Sequence, residues 1–87
     1  MSSILFTEKG FEQYLQWHTE DRKTLRKINR LLKSIARDGA LQGEGKPEKL
    51  SYAPGSYSRR IDEKNRLVYQ VSEDQIIIKA CKGHYEE

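Results

Sequence analysis

The fold class is indicated most clearly by YSRRIDEKNRLVYQVSEDQIIIKAC, residues Tyr57–Cys81. This stretch contains three runs rich in β-branched and aromatic residues, at Tyr57–Ile61, Arg66–Val71 and Ile76–Cys81, and two short polar turns separate them. Turns of this length join neighbouring strands in antiparallel order. We therefore predict a meander of strands in which Ile76–Cys81 is a buried central strand.

A first strand and two helices are predicted before this meander. Ile4–Phe6 is a short apolar run typical of a strand, and Thr7 is placed to cap the helix that follows it. Four side chains of that helix share one face of a 3.6-residue period and predict its packed side, with the histidine at the edge of the core: Phe11, Tyr14, Leu15 and His18. Polar capping residues at 19–21 predict a break before the second helix.

The second helix has the clearest pattern. Its apolar stripe consists of Leu25, Ile28, Leu32 and Ile35. Another face carries basic residues spaced three or four apart: Arg22, Arg26, Arg30, Lys33 and Arg37. We expect the helix to end near Asp38 and Gly39, followed by a glycine-rich loop at 39–47. After that loop, Glu48–Leu50 could begin a further short strand. The resulting order, βααββββ, groups the helices before the strands and predicts an α+β fold in a single domain, residues 1–87.

The basic face of the second helix creates a strong local field, although the net charge of the chain is only +3. Between Arg22 and Arg37 the sequence has no acidic residue. Such a segment favours a polyanion, either RNA or an acidic protein. The alternative interpretation is a solvated helix face without a binding role.

Composition and spacing exclude several classes of protein. Cys81 is the one cysteine, so no internal disulfide can form, and we expect a reducing compartment. No apolar run is long enough to span a bilayer, and the N-terminus lacks the pattern of a signal peptide, so we expect a cytoplasmic protein without a membrane partner. Gly43–Lys46 lacks the Ser or Thr that follows the lysine of a phosphate-binding loop, and no metal-ligand spacing occurs. We expect no cofactor and no metal, and we expect Trp17 and Cys81 to be packing residues.

A small set of residues has the chemistry to cleave RNA without a metal. The set comprises the carboxylate of Glu48, three arginines and a histidine–tyrosine pair: Arg59, Arg60, Arg66, His84 and Tyr85. When a ribose 2′-hydroxyl attacks the neighbouring phosphate, the reaction needs a base, a cation beside the phosphate and an acid for the leaving oxygen. Glutamate, arginine and histidine suit these three roles, and a tyrosine can stack on an unpaired base.

Each of these residues also has a structural alternative. A glutamate after a proline is often a solvated strand start, and one arginine of a neighbouring pair usually faces solvent or a carboxylate. A histidine near a chain end is often part of a frayed tail. The register of the last strands matters too, because pairing of Ile61 with Arg66 would put Arg60 and Arg66 on opposite faces of the sheet. An odd-numbered loop or a bulge would put both on one face.

Six segments of the chain resemble the YoeB toxins, within the RelE superfamily, in family order and with nearly family spacing. They are Tyr14–Trp17, Lys27–Leu32, Gly43–Glu48, Ser58–Ile61, Arg66–Tyr69 and Ala80–Cys81, with a closing His84–Tyr85. The resemblance implies a RelE-like fold, a twisted antiparallel sheet with two helices packed on it. It also implies binding in the ribosomal A site and cleavage of the messenger RNA codon there.

The resemblance assigns roles by position. Glu48 is similar to the family's general base, Arg66 to its phosphate-stabilising cation and His84 to its general acid. Tyr85 would position the substrate, and Arg60, with its neighbour Arg59, would bind it. Where the family often carries a supporting lysine, this chain has Ser51, so neighbouring Lys49 becomes the candidate substitute.

Partners follow from the same resemblance. It implies a YefM-like antitoxin, contact with operator DNA only through that antitoxin, and a ribosome on which the basic face would dock against ribosomal RNA. A second copy of the chain is a further candidate partner. Two rival functions keep the fold but not the chemistry: a ParE-type toxin that inhibits gyrase without nuclease activity, and a non-catalytic RNA-binding module.

Overall fold

The computed structural model describes residues 2–83, and its elements follow the predicted order βααββββ. His84 and Tyr85 lie outside the described residues. The elements are β1 (Ser3–Phe6), α1 (Glu8–Glu20), α2 (Arg22–Asp38), β2 (Glu48–Lys49), β3 (Ser56–Arg60), β4 (Arg66–Ser72) and β5 (Gln75–Ala80).

The five strands form one sheet in the order β1-β5-β4-β3-β2. The last four strands pair antiparallel as predicted, and β5 is an interior strand between β1 and β4, whereas β4 is the middle strand. β1 pairs parallel with β5, so the sheet is mixed rather than purely antiparallel. This pairing is possible because the two helices intervene between β1 and the other strands, and a parallel pair requires such a long connection.

Side-chain caps fix the two helices where the sequence predicts their ends. Thr7 Oγ1 accepts a hydrogen bond from the Gly10 amide at 3.1 Å. Asp21 ends α1 and begins α2, because its amide donates to the Trp17 carbonyl and its carboxylate accepts from the amides of Lys23 and Thr24. These bonds satisfy main-chain donors that the first turn of a helix leaves unpaired. Within residues 2–83, neither helix has the length and apolar character needed to cross a membrane.

The core lies between the helices and one face of the sheet. The α2 stripe is buried as predicted, and Trp17 and Cys81 are packing residues, at 7% and 0% exposure. Leu31 of α2 is also fully buried, and the rest of the core comes from the sheet and its margins: Ile61, Leu67, Tyr69, Ile76 and Ile78. Burial of the Cys81 thiol raises its pKa to about 11.

Of the predicted packed face of α1, Tyr14 is partly buried against the core as expected. The other three positions are wrong. Phe11 and Leu15 are each 48% exposed and His18 is exposed, whereas Gly10 and Trp17 are buried. The indole of Trp17 donates to the Cys81 carbonyl at 2.9 Å. A Cβ at Gly10 would overlap the Ile78 carbonyl, so only glycine allows α1 to approach β5 this closely. These two contacts rotate the helix away from the orientation that its apolar residues suggest.

Candidate active site

Glu48 and Arg66 meet on the face of the sheet opposite the helices. Arg66 Nη1 lies 3.2 Å from Glu48 Oε1. The two side chains reach each other across β3, because Glu48 is the partner of Ser58 on one side and Arg66 begins the strand on the other. The Arg66 side chain is 20% exposed and the Glu48 side chain 53% exposed. A half-exposed carboxylate is therefore held beside a largely buried cation, within reach of a solvent-borne ligand.

Arg60 shares this face with Arg66. The two arginines are direct partners in the β3–β4 ladder, and residues 61–65 form the connection between them. Partners in an antiparallel ladder point to the same side of the sheet. The amides of Ile61 and Asp62 both donate to the Asn65 carbonyl, at 3.0 and 3.2 Å, so Ile61 closes the loop instead of pairing with Arg66. The odd-numbered loop is the geometry that brings both arginines to one face.

The like charges of Arg60 and Arg66 lie directly opposite each other and repel. An anion bound between them would relieve this repulsion. Glu48 offsets part of the charge through its contact with Arg66. Arg60 is exposed at the end of β3. A phosphate placed between the two guanidinium groups could accept hydrogen bonds from both, since arginine donors match phosphate oxygens bidentately. The arrangement combines a proton acceptor with a cationic anion site.

Gly83 ties the segment after β5 to the same corner of the sheet. Its carbonyl accepts from the Arg66 amide at 3.1 Å, and its amide donates to Asn65 Oδ1 at 2.7 Å. His84 and Tyr85, the predicted general acid and substrate-positioning residue, follow Gly83 in the chain but lie outside the described residues. Their roles stay predictions.

Lys49 does not join this group. It is exposed, but successive residues of a strand point to opposite faces, and Lys49 pairs with Tyr57, whose ring stacks on Tyr69 of the core at 5.7 Å between ring centres. Its side chain therefore starts from the helix side of the sheet, away from Glu48. Within residues 2–83 no cluster of His, Cys, Asp or Glu has an arrangement that could hold a metal ion.

The structure corrects the prediction that Arg59 binds substrate, because the whole residue is inaccessible to solvent. All five N–H donors of its guanidinium are used within the chain. Nε donates to Tyr69 Oη at 2.9 Å, and Nη1 donates to Ser34 Oγ at 2.9 Å. The remaining three bonds go to main-chain carbonyls of the loop after α2, at 2.6–2.8 Å: Gly39, Gln42 and Glu44. No donor is left for an RNA phosphate.

The glycines of that loop explain why it can close around Arg59. Gly43 and Gly45 have φ angles of +105° and +93°, which favour glycine. A Cβ at Gly43 would overlap Ser34 Oγ, and one at Gly45 would lie 2.8 Å from Leu31 Cδ2. The sequence pattern predicts a loop at 39–47 but not that this loop encloses a buried arginine. The alternating glycines, read together with the arginine pair of β3, were the available signal for a buried anchor.

The basic face of α2 is exposed as predicted, but part of its charge is offset. Glu44 lies 2.5 Å from Arg30 and 3.2 Å from Lys27, and Asp38 lies 3.0 Å from Arg37. Hydrogen bonding to Glu44 raises the pKa of Arg30, and the same contact lowers the pKa of Glu44. The other three residues have no ion pair with an acidic group of residues 2–83: Arg22, Arg26 and Lys33. They form the more available part of this surface.

Comparison with known proteins identifies the family. The model of the YoeB-like toxins of bacterial type II toxin–antitoxin systems matches residues 6–85. The chain belongs to this family. Toxin YoeB of Streptomyces coelicolor is 47% identical to it over 83 residues, which cover 94% of this chain and 98% of that relative. The YoeB-like family thus accounts for nearly the whole chain.

Solved structures of YoeB toxins share the fold. The YoeB dimer from Staphylococcus aureus is 52% identical, with a TM-score of 0.92 over 97% of this chain and 98% of that one. The toxin in the heterotetrameric YoeB–YefM complex from the same organism is 51% identical, with a TM-score of 0.89 over 98% and 99% of the two chains. The predicted RelE-like α+β fold is confirmed, with a mixed sheet.

Proposed function

We propose that this YoeB-like toxin is an endoribonuclease that cleaves messenger RNA in the ribosomal A site. The observation that carries the proposal is the 3.2 Å contact between Glu48 and Arg66 on the face of the sheet opposite the helices, which we call the open face. The exposed Arg60, directly opposite Arg66, supports it. These groups supply the proton acceptor and the phosphate-binding cations that metal-independent RNA cleavage requires.

In the proposed reaction the 2′-oxygen of one nucleotide attacks the phosphorus that links it to the next. A substrate phosphate competes with Glu48 for Arg66, and the released carboxylate takes the proton of the 2′-hydroxyl. Arg66 stabilises the negative charge that develops on the phosphate oxygens, and Arg60 holds the RNA backbone. The bond from phosphorus to the 5′-oxygen breaks. The products are a 2′,3′-cyclic phosphate and a 5′-hydroxyl.

The leaving 5′-oxygen needs a proton, and His84 is the proposed donor. An imidazolium with a pKa near neutrality suits this role, and Tyr85 would hold the nucleotide in place by stacking. Both residues are assigned by the family resemblance. The hydrogen bond between Gly83 and Arg66 supports the assignment, because Gly83 directly precedes His84 in the chain.

The ribosome would supply both the substrate and its alignment. The exposed cations of α2 would dock on ribosomal RNA phosphates: Arg22, Arg26, Arg30, Lys33 and Arg37. Phosphate contacts position a protein on RNA without reading its sequence. A messenger fixed in the A site can then react in a small open site, because proximity replaces a bimolecular encounter. Such a function places the protein in the cytoplasm.

We also propose a YefM-like antitoxin as partner. A YoeB from Staphylococcus aureus that shares 51% of its residues with this chain forms a complex with YefM. An acidic, initially disordered antitoxin segment would fold over the cations on the open face and so block the site. Operator DNA would be contacted through the antitoxin. The solved dimer of a Staphylococcus aureus YoeB makes a second copy of this chain a further candidate partner.

Primer extension on a defined messenger, with and without ribosomes, tests the function. We expect cuts at the A-site codon that require ribosomes and the wild-type protein. Glu48→Gln and His84→Ala should each lower the cleavage rate at least about 100-fold, the usual contribution of a general base or acid. Glu73→Gln, in the exposed turn after β4, is the matched control and should cut normally. A folded wild-type protein that does not cut would reject the proposal, and inhibition of gyrase supercoiling by that protein would favour the ParE-type alternative.

A further inference from the structure

Arg59 is a fully buried charged side chain that makes five hydrogen bonds within the protein. A buried charge is costly unless hydrogen bonds replace its hydration. Here three of the five bonds are accepted by main-chain carbonyls of one loop, residues 39–44. The loop must therefore keep one conformation for the charge to stay satisfied. Ser34 of α2 also holds the loop, because its hydroxyl accepts hydrogen bonds from Arg59 and from the Glu44 amide, at 2.9 and 3.1 Å.

The anchored loop leads directly into Glu48. The Gly45 carbonyl accepts from the Arg60 amide at 2.7 Å, which sets the loop alongside β3. Lys46 follows with a φ of 51°, a left-handed conformation that is uncommon for a residue with a side chain. Such a conformation persists where the surrounding structure imposes it. Three residues after Gly45, Glu48 enters the ladder opposite Ser58.

Adjacent residues of β3 point to opposite faces of the sheet, so one contacts the loop and the others lie in the candidate active site. Arg59 points into the core and holds the loop, whereas Ser58 and Arg60 belong to the face where Glu48 meets Arg66. A displacement of the loop would therefore act on Glu48 and leave the β3–β4 pairing that places Arg60 and Arg66 in register. The position of Glu48 therefore depends on the bonds of Arg59 to the loop, whereas the positions of Arg60 and Arg66 do not.

We propose that Arg59 is a positioning residue, whose buried guanidinium fixes the loop 39–46 and thereby sets Glu48 against Arg66. The inference rests on the proposed function, in which Glu48 is the general base. A displacement of about 1 Å in a reacting group can lower a rate about 100-fold, so weakening the anchor should affect catalysis beyond its effect on stability.

The test compares two weakened anchors with a matched destabilised control. Arg59→Lys keeps the charge but loses the planar fork, and Ser34→Ala removes the hydroxyl that also holds the loop while leaving Arg59 in place. Ile76→Val removes one methyl group from the core at β5, a strand that pairs with β1 and β4. All three are studied where unfolding measurements show them folded.

The first readout does not depend on activity. In the wild-type protein, Glu48→Gln should shift the nitrogen resonances of the Arg66 guanidinium, because the two groups are in contact. In the Arg59→Lys and Ser34→Ala backgrounds that shift should shrink, and hydrogen exchange of the Arg60 amide, which reports its bond to Gly45, should quicken about tenfold or more. Ile76→Val should retain the wild-type shift. An undiminished Arg66 shift in both anchor variants would overturn the proposal.

The second readout is single-turnover cleavage on programmed ribosomes. Arg59→Lys should lower the maximal rate about 10–100-fold and Ser34→Ala about 3–10-fold, with the half-saturating ribosome concentration unchanged within about twofold. Ile76→Val should cut at the wild-type rate. Equal maximal rates in all four proteins would contradict the positioning role even if the loop had loosened. A wild-type protein that does not cut would instead reject the proposed function, and the Arg66 resonances would still decide whether Arg59 positions Glu48.

Discussion

Replacing Arg59 by alanine should destabilise the protein more than any change to a neighbouring surface arginine. The substitution removes all five bonds of the buried guanidinium and leaves three loop carbonyls, Ser34 Oγ and Tyr69 Oη without that donor. Each buried neutral acceptor left without its donor costs about 1–3 kcal/mol, and water should reach some of the five, so the expected loss is about 3–5 kcal/mol. A chain of this length has a free energy of unfolding of roughly 4–13 kcal/mol, so the loss is a large share of the total.

The assay is urea unfolding followed by the fluorescence of Trp17, the one tryptophan, which is buried in the core. At about 4–8 °C for each kcal/mol in a domain of this size, the same loss should lower Tm by roughly 12–40 °C. Arg60→Ala is the matched control. Its side chain is exposed on the same strand, and we expect a change within about 0.5 kcal/mol.

A decrease of less than about 1 kcal/mol for Arg59→Ala would contradict this prediction, since it would mean that the loop carbonyls find water or other donors at almost no cost. An equal effect of Arg60→Ala would also refute it. In that case burial and the five bonds would not distinguish the two neighbours.

Three further predictions concern other parts of the molecule. The double variant Arg22→Ala/Arg26→Ala should weaken ribosome binding and reduce the slope of log affinity against log salt by about 1.5, whereas Lys9→Ala on α1 should leave the slope unchanged. Hydrogen bonds from the Thr24 side chain and amide lower the pKa of Asp21 from its ordinary value of 3.8. The Asp21 cap of α2 therefore contributes stability above that pH, and this contribution is lost as pH falls through the lower pKa of the folded state. Unfolding curves of Asp21→Asn, measured as a function of pH, should lack this acid-dependent loss. Because burial raises the pKa of Cys81 to about 11, iodoacetamide at pH 8 should label it only after unfolding, as mass spectrometry can show.

The order of elements was predictable because its signals are local. Capping residues and short polar turns mark the ends of α1, α2 and the C-terminal strands, and the structure has these boundaries within a residue or two. The parallel pairing of β1 with β5 was not predictable in the same way. It joins residues about seventy positions apart, and no local pattern specifies such a partner.

The face of α1 shows where counting apolar residues fails. Phe11 and Leu15 fit the helical period, yet the helix turns Gly10 and Trp17 inward. The decisive quantities were the distance of closest approach to β5 and the partner of an indole N–H. Both depend on how α1 packs against β5, so the spacing of apolar residues along the sequence cannot predict them.

The candidate site was partly predictable for a similar reason. Glu48 and Arg66 were chosen by chemistry and family resemblance, and the structure places them in contact. The roles of Arg59 and Arg60 depended on which of two adjacent residues faces the core, and alternation alone gives no answer until the loop 61–65 fixes the register. The alternating glycines of the loop were the one indirect sign that Arg59 would be buried, and they did not show that it would make five hydrogen bonds.

Cleavage of a ribosome-bound messenger with one 2′-deoxyribose in the A-site codon would show whether the 2′-hydroxyl is the nucleophile. If Glu48 activates a 2′-hydroxyl beside Arg66, the all-ribose messenger will be cut to a 2′,3′-cyclic phosphate and a 5′-hydroxyl, and the bond after the deoxynucleotide will stay intact. Cutting at the deoxynucleotide, or products that end in a 5′-phosphate, would contradict the account.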